Sequence, residues 1–290
     1  MSDQPTVSIL TLTYNHESFL KDCIESVLKG RFQDFELIIV DDQSSDNSHA
    51  IALEYATKDH RIRAYRNETN LGDYPNRNKA ASLARGKYIK YLDGDDLHGK
   101  WALDIMIDAI EQFPEAGFAL FDHGPNRPLY PVMLSPQEAY EAYYSGNHDI
   151  FNRSPLTAII RRTAFEEVGG FTGTRYVGDY EMWHMLASRY PMVMMSAWPV
   201  FWRQHDQQES SNIRKSEISR LTYLKLSESF LSDSHCPLNN KQKQLRLQQA
   251  KQKTARTILY AFRRYGVGSA FRMKAHAERS WLQIFKDAFS

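Results

Sequence analysis

The run Tyr88-Ile89-Lys90-Tyr91-Leu92 alternates bulky and β-branched residues as a strand does, and it ends in three carboxylates, Asp93-Gly94-Asp95-Asp96. In an open α/β sheet, ligands bind beyond the carboxyl ends of the strands. Acids crowded there repel one another and cost free energy unless a cation sits among them. An all-oxygen cluster of this size suits Mg2+ or Mn2+ holding phosphate groups. The other reading is an Asp-Gly turn with solvated acids.

The flanking chain repeats the pattern. Val7 to Thr13 is an apolar strand ending at Tyr14-Asn15-His16, and Phe35 to Val40 is another that runs into Asp41-Asp42. Both are too apolar to be half-exposed, which suits a parallel sheet covered on both faces. Ser18 is placed to cap a helix carrying Leu20, Ile24, Val27 and Leu28, and Ser45 or Asp46 to cap one reaching Lys58. A shorter strand at 62–66, a helix from Pro75 to about Ala84, the strand at 88–92 and a helix from about Trp101 to Gln112 follow. Alternating β and α over this length predicts a doubly wound, mostly parallel sheet. Beyond it, strands are expected at 117–122 and 157–161, and helices at 136–144, 163–168 and 180–189, the last with Met182, Met185 and Leu186 inward. Residues 192–201 read as extended. From Lys215 the chain reads as helix, interrupted at Gly266 and Gly268.

Composition narrows the class. Hydrophobic content of 42% supports a sizeable core. Net charge is +1, but residues 241–290 hold 12 Lys and Arg against 2 Asp and Glu. A basic tail on an acidic body suggests an anionic partner surface, and nothing points to nucleic acid. Two cysteines without metal or redox spacing suit a reducing compartment. The N-terminus lacks signal-peptide features, and no apolar run reaches the roughly 20 residues of a membrane helix. A cytoplasmic protein is expected, with peripheral attachment to the inner face of the plasma membrane as an extension.

The ordered set Val7–Asn15, Glu36–Ser44, Asn70-Leu71-Gly72, Arg77-Asn78, Gly86–Ile89 and Leu92–Asp96 closely resembles the family 2 glycosyltransferases. The resemblance covers about residues 6–212. It implies a GT-A fold: a mixed, mostly parallel sheet flanked by helices, here followed by a C-terminal helical extension. Residues 1–212 are expected to form the catalytic domain, with 1–100 as its nucleotide-binding half and 101–212 as its acceptor and catalytic half. The extension is expected to cover 213–290.

The resemblance also implies site residues. Thr13, Tyr14 and Asn15 would border the nucleotide, with Tyr14 walling the base. Asp42 would bond a uracil-like imide, or cap the next helix; Asp41 would support the ribose or the turn. Arg77 would face the phosphates. Asp93 and Asp95, around Gly94, form the Asp-x-Asp element, with Asp93 toward the ribose and next to the metal, Asp95 on a Mn2+ or Mg2+ ion and Asp96 close by. Gly170 lies in a glycine loop at the donor sugar, which also reads as a helix stop. Asp179 is expected as general base or helix cap, with Gly178 standing where Glu is usual and Glu181 in reserve. Arg203 would neutralise phosphate and His205 complete the metal shell.

The function implied is metal-dependent, inverting transfer of one sugar from a nucleotide-sugar, a UDP-sugar favoured, to a glycan or lipid-linked acceptor. Bacterial surface polysaccharide or lipopolysaccharide synthesis is the expected setting. A sugar nucleotidyltransferase would want a Gly-rich basic loop where Thr13 to Glu17 stands. A non-catalytic nucleotide-sugar binding module would not need Asp179. In the tail, Ile258, Leu259, Phe262 and Tyr265 fall on one helical face, and Trp281, Leu282, Phe285 and Phe289 form another stripe among Lys and Arg. Packing on the catalytic domain, an anionic membrane surface and a homodimer are three readings of these faces.

Overall fold

A computed structural model of the chain describes residues 4–121, 129–196, 200–205 and 217–289. The chain divides into two units: Met1–Ala139 with His148–Gln204, and Tyr140–Asn147 with His205–Ser290. The expected boundary at 212/213 and the expected strand end at Asp122 lie outside the described residues.

The first unit alternates strand and helix: β1 (Val7–Thr13), α1 (Glu17–Leu28), β2 (Phe35–Asp41), α2 (Ser48–Lys58), β3 (Ile62–Arg66), α3 (Asp73–Ser82) and β4 (Tyr88–Asp93). Then come β5 (Leu97–His98), α4 (Ala102–Glu111), β6 (Phe118–Phe121), β7 (Val132–Leu134), and α5 (Pro136–Tyr144), which continues into the second unit. β8 (Ala158–Arg161), α6 (Arg162–Glu167), α7 (Gly178–Arg189), β9 (Met192–Met195) and β10 (Val200–Phe201) complete it.

Eight strands form one sheet in the order β3-β2-β1-β4-β8-β6-β9-β7. β3, β2, β1 and β4 run parallel, β8 is antiparallel to both β4 and β6, and β9 is parallel to β6. Every residue of β1 and β2 is buried, as continuous apolar runs in a doubly covered sheet require. In register, Thr13 lies opposite Asp41, and Leu12 opposite Asp93, so the ends of β1, β2 and β4 open at one edge. β5 and β10 pair antiparallel in a small second sheet. These two strands and β7 are two or three residues long, too short to show periodicity in the sequence.

Several expected helix starts move. α1 begins at Glu17, so Ser18 lies within its first turn; the N-cap His16 makes no side-chain capping bond. α2 begins at Ser48, whose amide donates to Asp46 Oδ1 at 2.9 Å, while Ser45 donates to Asn15 instead. α7 begins at Gly178 and buries Met182 and Leu186 together with Trp183, which stacks on Phe118 at 6.0 Å; Met185 is only partly buried.

At the other end of the sheet, Glu36 is buried on β2. It accepts hydrogen bonds from Ser8 Oγ (2.7 Å), the Arg85 amide (2.7 Å) and the guanidinium of Arg63 (2.8 Å). Burial opposes its charge, yet these donors outweigh it and hold its carboxyl below the ordinary range.

The second unit is helical among its described residues: α8 (Glu217–Ser232), α9 (Asn240–Tyr265), α10 (Val267–Ala277) and α11 (Trp281–Phe289). Asn239 and Gln242 close a capping box at the start of α9. Gly266 breaks the chain at φ +85°, whereas Gly268 lies inside α10 and interrupts nothing. Leu221, Leu224, Ala255, Ile258, Ala261, Met273, Ile284 and Ala288 form the core. The expected apolar faces therefore divide: Ile258 is inside and Leu259 packs on the core, while Phe262 and Tyr265 are exposed. Partly buried Arg279 links Glu228 and Asp287. No described helix is long and apolar enough to cross a membrane.

Glu36→Ala removes the acceptor of Ser8 Oγ and of the Arg85 amide and one of several acceptors of Arg63, and should destabilise the chain by about 1–3 kcal/mol in urea denaturation. Because the Glu36 carboxyl is depressed, its contribution is present above its unfolded pKa and is lost as pH falls through the folded value.

Candidate active site

The open edge of the sheet is built around α3. The loop before it is pinned by Asp42, a buried residue at the end of β2 whose carboxylate accepts from Asn67 Nδ2 (2.7 Å), the Leu71 amide (2.8 Å) and the Gly72 amide (2.9 Å). Asp42 thus caps neither α2 nor any other helix; it fixes the approach to α3. Gly72 enters the helix at φ +82°, a backbone state that favours glycine.

Three side chains of α3 then reach the rest of the edge. Tyr74 is buried and its hydroxyl lies 3.3 Å from the Asp179 amide and 3.5 Å from Asp179 Oδ1. Arg77, one turn on, is also buried; its Nε donates to Asp73 (2.8 Å) and its Nη2 to Asp93 Oδ2 (2.9 Å). Asn78 bonds both the amide and the carbonyl of Phe171, at 2.9 and 2.8 Å. One helix therefore connects the end of β4, the start of α7 and the glycine loop at 169–171.

That geometry accounts for two glycines. Gly170 has φ +74°, and a Cβ there would stand 2.7 Å from Asn78 Oδ1. A Cβ on Gly178 would stand 2.8 Å from the Tyr74 ring. The Tyr74 ring thus fills the space that any side chain at 178 would need. Asp179 lies in the first turn of α7 rather than at its N-cap, which is Val177. Its Oδ1 accepts from the Tyr180 amide at 2.7 Å, and its Oδ2 has no hydrogen-bond partner among the described residues. Burial, only partly offset by the Tyr180 amide and the Arg77 charge, pushes its carboxyl up to about 6. Glu181 is bonded by Thr172 and Thr174 and is occupied in holding that loop.

At the end of β4 the acids are crowded. Gly94 allows a close approach to β1: its amide donates to the Leu12 carbonyl at 2.8 Å, and a Cβ would lie 3.1 Å from that oxygen. Asp95 and Asp96 are buried beside it. Burial, with the charges of Asp93 and Asp95, pushes Asp96 up to about 8, although the Arg203 amide donates to it at 3.0 Å. Behind them Lys90 is fully buried on β4, its ammonium donating to the Tyr91 carbonyl (2.7 Å) and to the Leu156 carbonyl. Burial lowers Lys90 to about 7 against the opposing pull of Asp96 and Asp93.

A divalent cation fits this donor set. Asp93 Oδ1 is buried with no hydrogen-bond partner among the described residues, and the neighbouring donors are carboxylate oxygens. No three His, Cys, Asp or Glu groups among the described residues form a ready-made cage. Such a site suits an ion that takes one or two carboxylates from the protein and the rest of its shell from phosphate and water.

The remaining residues are placed as follows. Tyr14 is half-exposed at the end of β1. Asn15, at φ +57°, accepts from the Ser45 amide and hydroxyl and so ties the β1 end to the β2 end. Thr13 and Asp41 are fully buried; Asp41 accepts from the Ser44 amide (3.1 Å) and pairs with Arg66, which holds the turn. Arg203 turns its guanidinium to Asp22 and the Phe19 ring. His205 opens the second unit, and the site described here is built from the first unit alone. Tyr74 and Lys90 carried no motif in the sequence. A lysine inside an otherwise apolar strand was the one visible sign of the latter.

The model of the family described as glycosyl transferase family 2 matches residues 8–169. Asp179, Arg203 and His205 lie beyond the matched residues. Among relatives, an uncharacterized glycosyltransferase of Methanocaldococcus jannaschii is 46% identical over 97 residues, 33% of each chain. The putative teichuronic acid biosynthesis glycosyltransferase TuaG of Bacillus subtilis is 37% identical over 116 residues, 40% of this chain and 45% of its own. The matches thus span a third to under a half of these relatives' lengths. Of solved structures, S. aureus TarS 1-349 in complex with UDP-GlcNAc superposes with a TM-score of 0.69 at 19% identity, covering 89% of this chain and 75% of its own. A mannosyltransferase from Pyrobaculum calidifontis in complex with GDP-Man and Mn2+ gives 0.64 at 13% identity, over 99% and 88%. At these identities the likeness is one of fold.

Gly178→Ala drives a methyl group into the Tyr74 ring and should cost about 1–3 kcal/mol in denaturant unfolding. In a Tyr74→Leu background the same substitution should cost clearly less, and the difference between the two measures the contact.

Proposed function

The chain belongs to glycosyl transferase family 2, and we propose that it is a metal-dependent, inverting glycosyltransferase acting on a nucleotide-sugar, with a UDP-sugar favoured. The observation that carries this reading is the α3 bridge: Arg77 holds Asp93 among the β4 acids, while Tyr74, three residues earlier, holds Asp179. Diphosphate chemistry and a proton acceptor are thereby brought to one edge.

Asp179 acts as general base through Oδ2, since its Oδ1 is engaged by the Tyr180 amide. An acceptor hydroxyl gives its proton to Oδ2, its oxygen bonds the anomeric carbon, and the bond from that carbon to the diphosphate breaks. One candidate base and no paired nucleophile among the described residues suit inversion. Asp95, with Asp93 or Asp96 as a second carboxylate, would hold Mn2+ or Mg2+, which as a Lewis acid would supply neutralisation of the leaving diphosphate. Arg77 keeps one buried Nη1 without a hydrogen-bond partner among the described residues and fixes the orientation of Asp93. Exposed Tyr14 offers a stacking face for the base, and Asp42, already accepting three bonds, offers the imide an acceptor backed by a fixed loop.

The first unit is proposed as the catalytic part. The acceptor is proposed to be a glycan or lipid-linked glycan of a bacterial surface polysaccharide; the relative named for teichuronic acid biosynthesis supports that class.

A thermal-shift screen of nucleotide-sugars with Mn2+ tests the donor, and no stabilisation by any of them would reject the reading. Asp95→Ala should weaken Mn2+-dependent UDP binding in calorimetry. Asp179→Asn should keep that binding and lower transfer by about 10²- to 10⁴-fold. Because the base works deprotonated and its carboxyl stands at about 6, transfer by the unaltered chain should rise with pH through about 6 and level off above. A rate independent of pH across that range would remove Asp179 from the role.

A further inference from the structure

The last helix of the second unit has two apolar faces where a helix on a globular surface needs one. Ile284 and Ala288 of α11 are buried in the core. Leu282 and Phe289 are each 82% exposed, and Phe285 is 51% exposed. Positions 282, 285, 286 and 289 share one face of a helix, so Lys286 stands within this outward stripe. Phe285 touches Trp281, whose ring meets the exposed Phe271 at 5.3 Å.

A cationic groove adjoins the end of the stripe. Arg220, Lys253, Arg256 and Tyr260 line a depression of about 540 Å3 that has no acidic side chain among its described lining residues. Arg256 also donates to the Ala288 carbonyl at 3.2 Å, beside Phe289. Tyr260 packs edge-on against exposed Tyr265, next to Arg263 and Arg264.

Apolar side chains this exposed, grouped on one face and rimmed by cations, mark an interaction surface. A second copy of the chain fits it poorly, because residues 241–290 carry 12 basic against 2 acidic side chains and two such faces repel. A helix with Leu and Phe on one side and Lys and Arg around it lies well at a headgroup boundary. We infer that α11 and the Arg220–Lys253–Arg256 groove form a docking surface for an anionic lipid bilayer. Leu282, Phe285 and Phe289 enter the acyl boundary, and the groove takes lipid phosphates.

The test is co-sedimentation of the full chain with vesicles, which reads binding and not sugar transfer. At low salt the chain should sediment with phosphatidylglycerol vesicles and not with phosphatidylcholine, and added salt should release it. The triple variant Arg220→Gln, Lys253→Gln, Arg256→Gln should bind on the order of 100-fold more weakly. Leu282→Ser, Phe285→Ser, Phe289→Ser should also lose binding while keeping its helical circular dichroism and melting temperature. Failure to bind phosphatidylglycerol, equal binding to phosphatidylcholine, or full binding by both variants overturns the proposal. A dimer in light scattering that the serine variant splits assigns the face to a second copy. Vesicle binding insensitive to the serine variant but displaced by polyglutamate assigns it to an acidic polypeptide.

Discussion

The Asp42 carboxylate, spread over three donors of the loop at 67–72, sets where α3 begins, and α3 sets nearly everything else at the open edge. All three reach a buried carboxylate, and the bond from Asn67 is itself buried, the setting in which such bonds are strongest. From that start, the spacing of an α-helix places Tyr74, Arg77 and Asn78 on adjoining positions, and each meets a different segment of the chain. A short helix thereby aligns a strand end, a helix start and a glycine loop that are far apart in sequence.

The same edge carries unbalanced charge by construction. Asp93, Asp95 and Asp96 crowd together with Arg77 on one side and buried Lys90 behind. Asp96 raised and Lys90 lowered are two sides of one circumstance: burial disfavours both charged forms, and neither group is given a full counter-ion. An added cation relieves the first of these directly. The frame is electrostatically incomplete, which agrees with the proposed binding of a charged ligand there.

Much of the frame was legible in the residues. The apolar runs at β1 and β2 and the acids closing β4 announce a parallel sheet with a polar edge, because those patterns follow from burial alone. The roles of Tyr74 and Lys90 were not legible, since each depends on a contact across long sequence separation. Asp42 was read as ligand or cap, and its bonds to the loop before α3 were not foreseen. Helix starts at Glu17, Ser48 and Gly178 differ from those expected because capping groups are abundant and the backbone selects among them by tertiary contact. In the tail, helical periodicity identified the stripe Trp281, Leu282, Phe285 and Phe289 but not the opposite face; Ile284 went in and Leu282 out.

The contact between Gly178 and Tyr74 also bears on how such a site can change over generations. Any side chain placed ahead of Asp179 meets an aromatic ring, and shrinking that ring removes the hydroxyl that steadies Asp179. The two positions are therefore coupled, and neither can be altered without disturbing what the other holds.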